Sequence, residues 1–347
     1  MRRTVDVRFK VLRNGAEYSE LFPIEGAKPT LRMDDGGAIK TSLSGEFAPN
    51  SEVDWLTDEI QPVLLLNGQE HTLGVYIPTT ADEAEDEGSA SVNVEAYDRG
   101  WRVQDQKSES RVYFAAGTGY ITAIKQLLTA AGVGLIQAED STAYLAEARE
   151  DWDIGTSYLT IVNELLGEIN YKPLWFNASG TAVLEQRRRP DVNSIQHTLD
   201  SNNIESLLLP QFGRSLDVFT APNVFICVCN NPDKSGQMIA TAVNENVMSP
   251  LSVSRRGRRI VEKVTLNNIA DQNALQANAD ALRDESLGIH ETIEVTTALL
   301  PGWGVDDVTA LHYDDYVGVC LEKSWEMELV TGGSMRHRLE RVIYDVG

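Results

Sequence analysis

A short glycine-rich segment, Gly117-Thr118-Gly119, precedes residues with helical periodicity and is a candidate phosphate-binding loop. A P-loop requires Lys followed by Ser or Thr after its last glycine, and that pair is missing here. The dinucleotide-binding pattern requires a third glycine three residues further on, where Thr122 stands. We therefore interpret the segment as the start of a helix, with Thr118 as its N-cap.

The histidines and serines form no catalytic signature in the sequence. The histidines are widely spaced and contain no His-Glu-x-x-His pair, and the Gly-x-Ser-x-Gly nucleophile elbow is absent. Ser44 and Ser334 stand in predicted strand or turn contexts that form no catalytic signature, although a triad assembled in space leaves no such signal. The sequence thus predicts no catalytic, cofactor-binding or metal-binding residue, and no cofactor. The histidines are His71, His197, His290, His312 and His337.

Two acidic segments are candidates for carboxylate chemistry. Glu150, Asp151 and Asp153 surround Trp152 in a way that a glycosidase could use. The same residues precede a predicted helix near 156, whose positive end favours acidic side chains, and we prefer that structural interpretation. Residues 82–87 carry five carboxylates in six positions, which predicts a solvated loop between strands.

Three cysteines, Cys227, Cys229 and Cys320, are too few for a disulfide framework and indicate a reducing folding compartment. Cys227 and Cys229 lie in an apolar run and would share one face of a strand. Because no Cys or His partners complete a tetrahedral set, we expect them to pack as small hydrophobic residues.

The charge balance restricts the partners of this chain. The 347 residues contain 30 Lys and Arg and 52 Asp and Glu, a formal net charge of −22. This excess argues against tight nucleic-acid binding, which needs clustered positive charge. The basic clusters at 187–189 and 255–259 are either solvated turns or contacts to acidic surface on a neighbouring subunit.

The hydrophobic pattern divides the chain into three parts. Residues 1–98 alternate with period two between turn signals such as Asn14-Gly15 and Asn67-Gly68, which predicts a small β-barrel or sandwich. Residues 99–190 predict an α+β domain with helices at 118–131 and 156–169, and Gly132 as the stop of the first.

The third part, 191–347, begins with a polar stretch to 203 that we expect to be a linker, and then returns to β structure. A helix at 272–287 interrupts these strands, with Leu275, Ala279 and Leu282 on one face and Asp271 as its N-cap. We expect the stripe to pack on the second β region. No apolar run reaches the ~20 residues of a membrane span, and no signal-peptide core is visible, so we expect no membrane insertion.

Several segments in this order resemble the central baseplate hub proteins of long-tailed bacteriophages. These proteins are related to the late-control-D proteins and to the hub part of contractile injection spikes. The resembling segments are Leu64-Leu-Leu-Asn-Gly68, Val92-Asn-Val-Glu-Ala-Tyr-Asp98, Thr122-Ala-Ile-Lys-Gln-Leu-Leu128, Pro173-Leu-Trp-Phe-Asn-Ala-Ser-Gly180, Arg255-Arg-Gly-Arg-Arg259 and Trp325-Glu-Met-Glu-Leu329.

The resemblance implies a non-enzymatic structural subunit that is mainly β with an α+β insertion. It implies two tail-tube-like β-barrel domains, 1–98 and 191–347, and a peripheral α+β domain, 99–190. Three chains would form a homotrimeric ring that caps and continues the hexameric tail tube. Expected neighbours are the tail tube or distal tail protein, the tape measure protein and a separate spike or tip protein.

The same reading places the protein in the baseplate or tail tip of a virion that is assembled in the host bacterial cytoplasm. DNA would pass through an acidic channel during ejection without specific binding. Glu291 and Glu294 are candidate lining residues, and their odd spacing places them on opposite faces of a regular strand. Two alternatives stay open: a tail-associated cell-wall hydrolase and a carbohydrate-binding tip protein.

Overall fold

The computed structural model describes residues 3–86, 89–187, 193–217, 221–229, 238–266, 272–286 and 288–343. The chain forms two compact units, Met1–Pro210 with Thr296–His337, and Gln211–Val295 with Arg338–Gly347. The predicted fold class is confirmed, because the chain is mainly β with an α+β insertion. The division into 1–98, 99–190 and 191–347 stays a prediction.

The N-terminal part of the first unit is an antiparallel sheet in the order β3-β4-β8-β7-β5-β1-β2, with β6 beside β5. Asn14-Gly15 and Asn67-Gly68 have positive φ angles (52° and 78°, 51° and 83°), as two-residue hairpin turns require, so both predicted hairpins are confirmed. The strands are β1 (Val5–Arg13), β2 (Ala16–Leu21), β3 (Thr30–Asp34), β4 (Thr41–Phe47), β5 (Glu59–Leu66), β6 (Gln69–Thr72), β7 (Tyr76–Asp86) and β8 (Ser89–Asp98).

The prediction of a solvated loop at residues 82–87 was wrong. Strand β7 continues to Asp86, and residues Asp82 to Asp86 pair with Asn93 to Ser89 of β8, while Glu87 lies outside the described residues. The carboxylates of Asp82, Glu83 and Glu85 are all exposed, so water solvates them although the backbone is paired with β8. Local charge repulsion therefore did not prevent strand formation.

The α+β insertion has its own apolar core, in which Ile124, Leu128 and Leu165 are fully buried. Its elements are α1 (Gly100–Asp105), α2 (Tyr120–Ala130), β9 (Ile136–Ala138), α3 (Tyr158–Glu168), β10 (Trp175–Phe176) and β11 (Ala182–Leu184). The prediction of Thr118 as an N-cap was wrong, because Gly119 is the N-cap of α2 and no side chain caps that helix. Gly132, with φ 78°, ends the helix as predicted.

Asp98 lies at the end of β8, where the sheet leads into the α+β insertion. Its carboxylate accepts hydrogen bonds from the Gly100 backbone N–H at 2.8 Å and from the Thr41 backbone N–H and hydroxyl, both at 2.9 Å. Burial raises the pKa of Asp98 to about 6, although these hydrogen bonds favour its ionised form. The carboxylate thus connects β4, β8 and α1.

An Arg99–Glu59 pair supports the same junction. The Arg99 guanidinium donates to both carboxylate oxygens of Glu59, at 3.0 and 2.7 Å, and a third bond reaches the Gly180 carbonyl at 3.0 Å. Glu59 is buried, and its bidentate pairing with a guanidinium is the geometry that compensates such burial.

Three further strands belong to the first unit, and their pairing was not anticipated. The strands are β12 (His197–Asp200), β18 (Val308–Tyr313) and β19 (Tyr316–Glu328). Strand β12 runs parallel to β18, so the expectation of a linker across 191–203 was wrong for residues 197–200. Strand β19 pairs antiparallel with β3, and Trp325 and Met327 join the core of the N-terminal strands.

The second unit contains β14 (Val224–Cys229), β15 (Met238–Val243), α4 (Val253–Arg256), β16 (Val261–Leu266) and α5 (Gln272–Glu285). Strand β14 pairs antiparallel with β15 and parallel with β16. The boundary between the units falls within β13 (Leu208–Asp217), β17 (Ile289–Ala298) and β20 (Ser334–Ile343).

Helix α5 packs on the second unit's sheet, as predicted. Leu275 and Ala279 are fully buried against Cys227 and Cys229 of β14, and Leu282 is partly buried at the same cluster. The predicted cap, Asp271, lies outside the described residues. Both cysteines are free and pack as the small hydrophobic residues that the sequence indicated.

We predict that Asp98→Asn removes a pH-dependent part of the stability. In the unfolded chain Asp98 ionises near a pKa of ~3.9, whereas the folded chain holds its proton up to about pH 6. As the pH rises from about 4 to about 6, the unfolding free energy of the wild type should therefore fall by up to ~3 kcal/mol, because the unfolded chain ionises Asp98 before the folded chain does. The variant has no carboxyl group at this position and should lack that fall. Urea unfolding at pH 4, 5 and 6 measures it, with the exposed Asp105→Asn as control. A wild-type profile parallel to that of Asp98→Asn would contradict the assignment.

We predict that Leu275→Asp destabilises the second unit by several kcal/mol, because it places a charge in an apolar cluster. Asn273→Asp introduces the same residue at an exposed position in the first turn of α5 and should leave the stability within ~0.5 kcal/mol. Thermal unfolding followed by circular dichroism compares the two variants. Equal effects would show that the helix does not pack through this stripe.

Candidate functional site

The acidic group around Trp152 does not form an open carboxylate pair. Trp152 is buried and its indole N–H donates to Glu164 at 2.6 Å. Arg149 pairs with Asp151 and donates to both carboxylate oxygens of Glu168, at 2.8 and 2.9 Å. Arg149 therefore neutralises part of this acidic loop, whereas the N-terminus of α3 is capped by the Ser157 hydroxyl and has no acidic residue in its first turn.

Within the ranges that the structure describes, no three His, Cys, Asp or Glu side chains are placed to hold a metal ion. None of the helices in these ranges is long and apolar enough to cross a membrane.

One constellation of catalytic residue types does assemble in the first unit, and the sequence analysis missed it. The His337 Nε2 lies 3.1 Å from the Thr297 hydroxyl, and its Nδ1 lies 3.0 Å from the Glu322 carboxylate. This is the hydroxyl–imidazole–carboxylate order of a catalytic triad. The residues come from β17, β19 and β20, so no local sequence pattern could have shown it.

Burial identifies this triad as structural. The Thr297 hydroxyl is within hydrogen-bond distance of both the Ala298 carbonyl, at 2.8 Å, and His337 Nε2, at 3.1 Å. Thr297 and Glu322 are 0% exposed and His337 is 2% exposed, so no substrate reaches the hydroxyl. Burial raises the pKa of Glu322, which the neighbouring His337 partly opposes.

Trp303 extends this buried cluster to a second histidine. Its ring stacks on His197 at 3.9 Å and lies 4.4 Å from His337. His197 Nε2 is 2.8 Å from Asp307, which also accepts from the Gly304 backbone N–H at 2.6 Å. The cluster thus fixes the loop between β17 and β18.

The surface offers two charged features of opposite sign, which are the candidate functional sites of a structural protein. The first, here called the β7 edge, consists of residues 77–85 together with Leu56. Strand β7 pairs with β5 only at Tyr76, so in the described chain its second edge has no ladder beyond that residue. An open cleft of about 650 Å³ lies along residues 77–81 and is also lined by Leu56, Trp101 and Arg102.

The second feature, here called the arginine loop, is residues 245–259. Asn223, which is fully buried, donates to the carbonyls of Leu251 and Arg258 at 3.1 and 3.0 Å and accepts from Ile260 N–H at 2.8 Å. The buried Ser252 caps α4 by accepting from the Arg255 N–H at 3.3 Å. A buried polar framework therefore holds this loop in one conformation. Of the other basic cluster, Arg187 is exposed, and 188 and 189 lie outside the described residues.

Glu291 and Glu294, which the sequence placed on opposite faces of a strand, lie on β17 and differ in exposure. Glu291 is fully buried and pairs with Arg214, whereas Glu294 is exposed. Of the two, Glu294 is therefore the side chain that faces solvent.

Solved structures share this architecture along the whole chain. A tail protein from Neisseria meningitidis MC58 matches with a TM-score of 0.68 and 13% identity, over 97% of this chain and 97% of its own. The 43 kDa tail protein of prophage MuSo2 from Shewanella oneidensis matches with a TM-score of 0.68 and 9% identity, over 97% and 98%. This chain has the fold of phage tail proteins.

A third structure connects the fold to secretion machinery. The E. coli c3393 protein, a type VI secretion component with structural similarity to the T4 tail proteins gp27 and gp5, matches with a TM-score of 0.52 and 11% identity, over 95% of this chain and 76% of its own. The resemblance to baseplate hubs that the sequence suggested is confirmed at the level of fold. No family model and no curated protein matches the sequence.

We predict that Thr297→Val costs about 1–3 kcal/mol of stability, because it leaves the buried Nε2 of His337 without its hydrogen-bond partner. Thr198→Val makes the same change at an exposed position of β12 and should have an effect below ~0.5 kcal/mol. Urea unfolding at pH 7 distinguishes them. Similar midpoints for both variants would show that the cluster contributes nothing to folding.

Proposed function

We propose that this protein is a non-enzymatic structural subunit at the distal end of a phage-type tail. The observation that carries the proposal is the fold match to two tail proteins over 97% of this chain and almost all of theirs. The burial of the Thr297–His337–Glu322 constellation supports it, because the catalytic residue types that meet there are closed to substrate.

In this proposal three copies form a ring that caps the tail tube and continues it. A hexameric tube presents six positions, and a threefold object matches them when each chain supplies two similar domains. The two β regions of the sequence are the candidates for these domains, and the α+β insertion would lie outside the ring. Contacts of this kind join two different surfaces of neighbouring copies and close when the rotation is right.

The ring would adapt the tube to a threefold tip. Its neighbours would be the tail tube or distal tail protein on one side and a separate spike or tip protein on the other, with the tape measure protein in the channel before ejection. The protein would be part of the virion tail after assembly in the bacterial cytoplasm.

The net charge of −22 supports a channel through which DNA slides without binding. A wall of carboxylates repels phosphate, so such a channel would not retain DNA. Glu294, exposed on β17, is the proposed contributor from this strand.

We predict that the purified chain forms a trimer. Light scattering at low salt should give three times the chain mass of 38.3 kDa, and negative-stain images should show rings. A strictly monomeric protein in an assembled tail, or a basic channel, would contradict the proposal. Clearing of cell-wall polymer in a zymogram would favour the hydrolase alternative, and binding to a glycan array would favour the carbohydrate-binding one.

A further inference from the structure

The arginine loop presents both positive charge and apolar surface to solvent. Val247 and Met248, which are adjacent in the loop, are each 68% exposed. Arg255, Arg258 and Arg259 are exposed a few residues later. Adjacent exposed apolar side chains next to unburied charge are typical of a protein-binding surface.

The loop is not a flexible turn that happens to be basic. The Asn244 side chain donates to Ser249 at 2.9 Å, and both residues are buried. The Asn246 side chain accepts from the Met248 N–H at 3.0 Å, and Gly257 ends α4 with φ 64°. Because this framework orders the loop before any partner binds, less conformational entropy is lost on binding.

The β7 edge has the complementary composition. Leu56 is 93% exposed beside the cleft, and Trp101 lies in its wall. Further along the same strand, Asp82, Glu83 and Glu85 are exposed. The β7 edge therefore combines an apolar part with an acidic part. The arginine loop combines an apolar part with a basic part, so the two surfaces are complementary in charge.

Neither set of charges is satisfied within its own unit. In the described ranges, the side chains of Arg255 and Arg259 and of the three β7 carboxylates take part in no ion pair or side-chain hydrogen bond. A chain with a net charge of −22 still displays these arginines uncompensated. An acidic protein surface is the partner that their chemistry fits.

We propose that the arginine loop of one copy binds the β7 edge of a neighbouring copy. Arg255 and Arg259 pair with Glu83 and Glu85, and Val247 and Met248 cover Leu56. This inference rests on the proposed ring and identifies its contact. A second copy is the occupant because each chain carries both complementary surfaces, and a contact between two different surfaces propagates around an axis until the ring closes.

Charge reversal on the full-length chain tests the contact. Arg255→Glu with Arg259→Glu, and separately Glu83→Lys with Glu85→Lys, should each raise the concentration for half-dissociation of the trimer by about 10-fold or more at low salt. The chain that carries all four changes should recover wild-type assembly, because every pair is restored with its sign exchanged. Light scattering over a dilution series gives the readout, and circular dichroism checks folding.

Matched controls separate the contact from net charge. Arg111→Glu with Lys125→Glu, and Glu147→Lys with Glu150→Lys, make the same charge changes at other exposed positions and should leave assembly unchanged. Two results overturn this contact and leave the proposed function standing, provided that the wild-type chain assembles. The first is that the test and control variants weaken assembly equally, and the second is that the chain with all four changes does not recover assembly. A wild-type chain that stays monomeric at all concentrations overturns both.

Discussion

The pairing of β19 with β3 is the interaction on which the first unit depends. Leu31 and Met33 of β3 lie opposite Met327 and Trp325 of β19, and all four side chains are buried in one apolar core. Burying four large apolar side chains contributes on the order of 6–12 kcal/mol before the entropy of ordering is subtracted. Because the strands lie almost 300 residues apart in the chain, this core forms only when the C-terminal strands return to the N-terminal sheet.

Polar contacts fix the register of the returning strands. Lys323, next to the paired segment of β19, lies 3.0 Å from Asp35 and 2.9 Å from Asp306. Burial lowers the pKa of this ammonium, but the two carboxylates outweigh it, and the net direction is upward. Apolar side chains such as Leu31 and Met33 could pack in several registers, whereas the half-buried charge of Lys323 requires its two carboxylate partners and so excludes the alternatives.

The buried triad and the exposed loop show two uses of polar groups in one chain. Thr297, His337 and one carboxylate oxygen of Glu322 are hydrogen-bonded to one another inside the first unit, where fully unpaired groups would be costly. Asn223 and Asn244 do the same in the second unit, but there the result is an ordered loop whose arginines face water. Similar burial chemistry thus stabilises an interior in one place and displays a charged surface in the other.

Local patterns in the sequence determined the hairpin turns, the helices of the α+β insertion and the packed face of α5, since each depends on residues close together in the chain. Asn14-Gly15 favours its turn, and Leu275 and Ala279 lie on one side of a helix, whatever the rest of the chain does. The order of the segments also indicated the tail-protein fold. Only the tertiary structure decided that β19 joins β3 and that Thr297, His337 and Glu322 meet. These outcomes depend on contacts between distant residues, whose loop-closure entropy is repaid by burial that no local window of sequence contains.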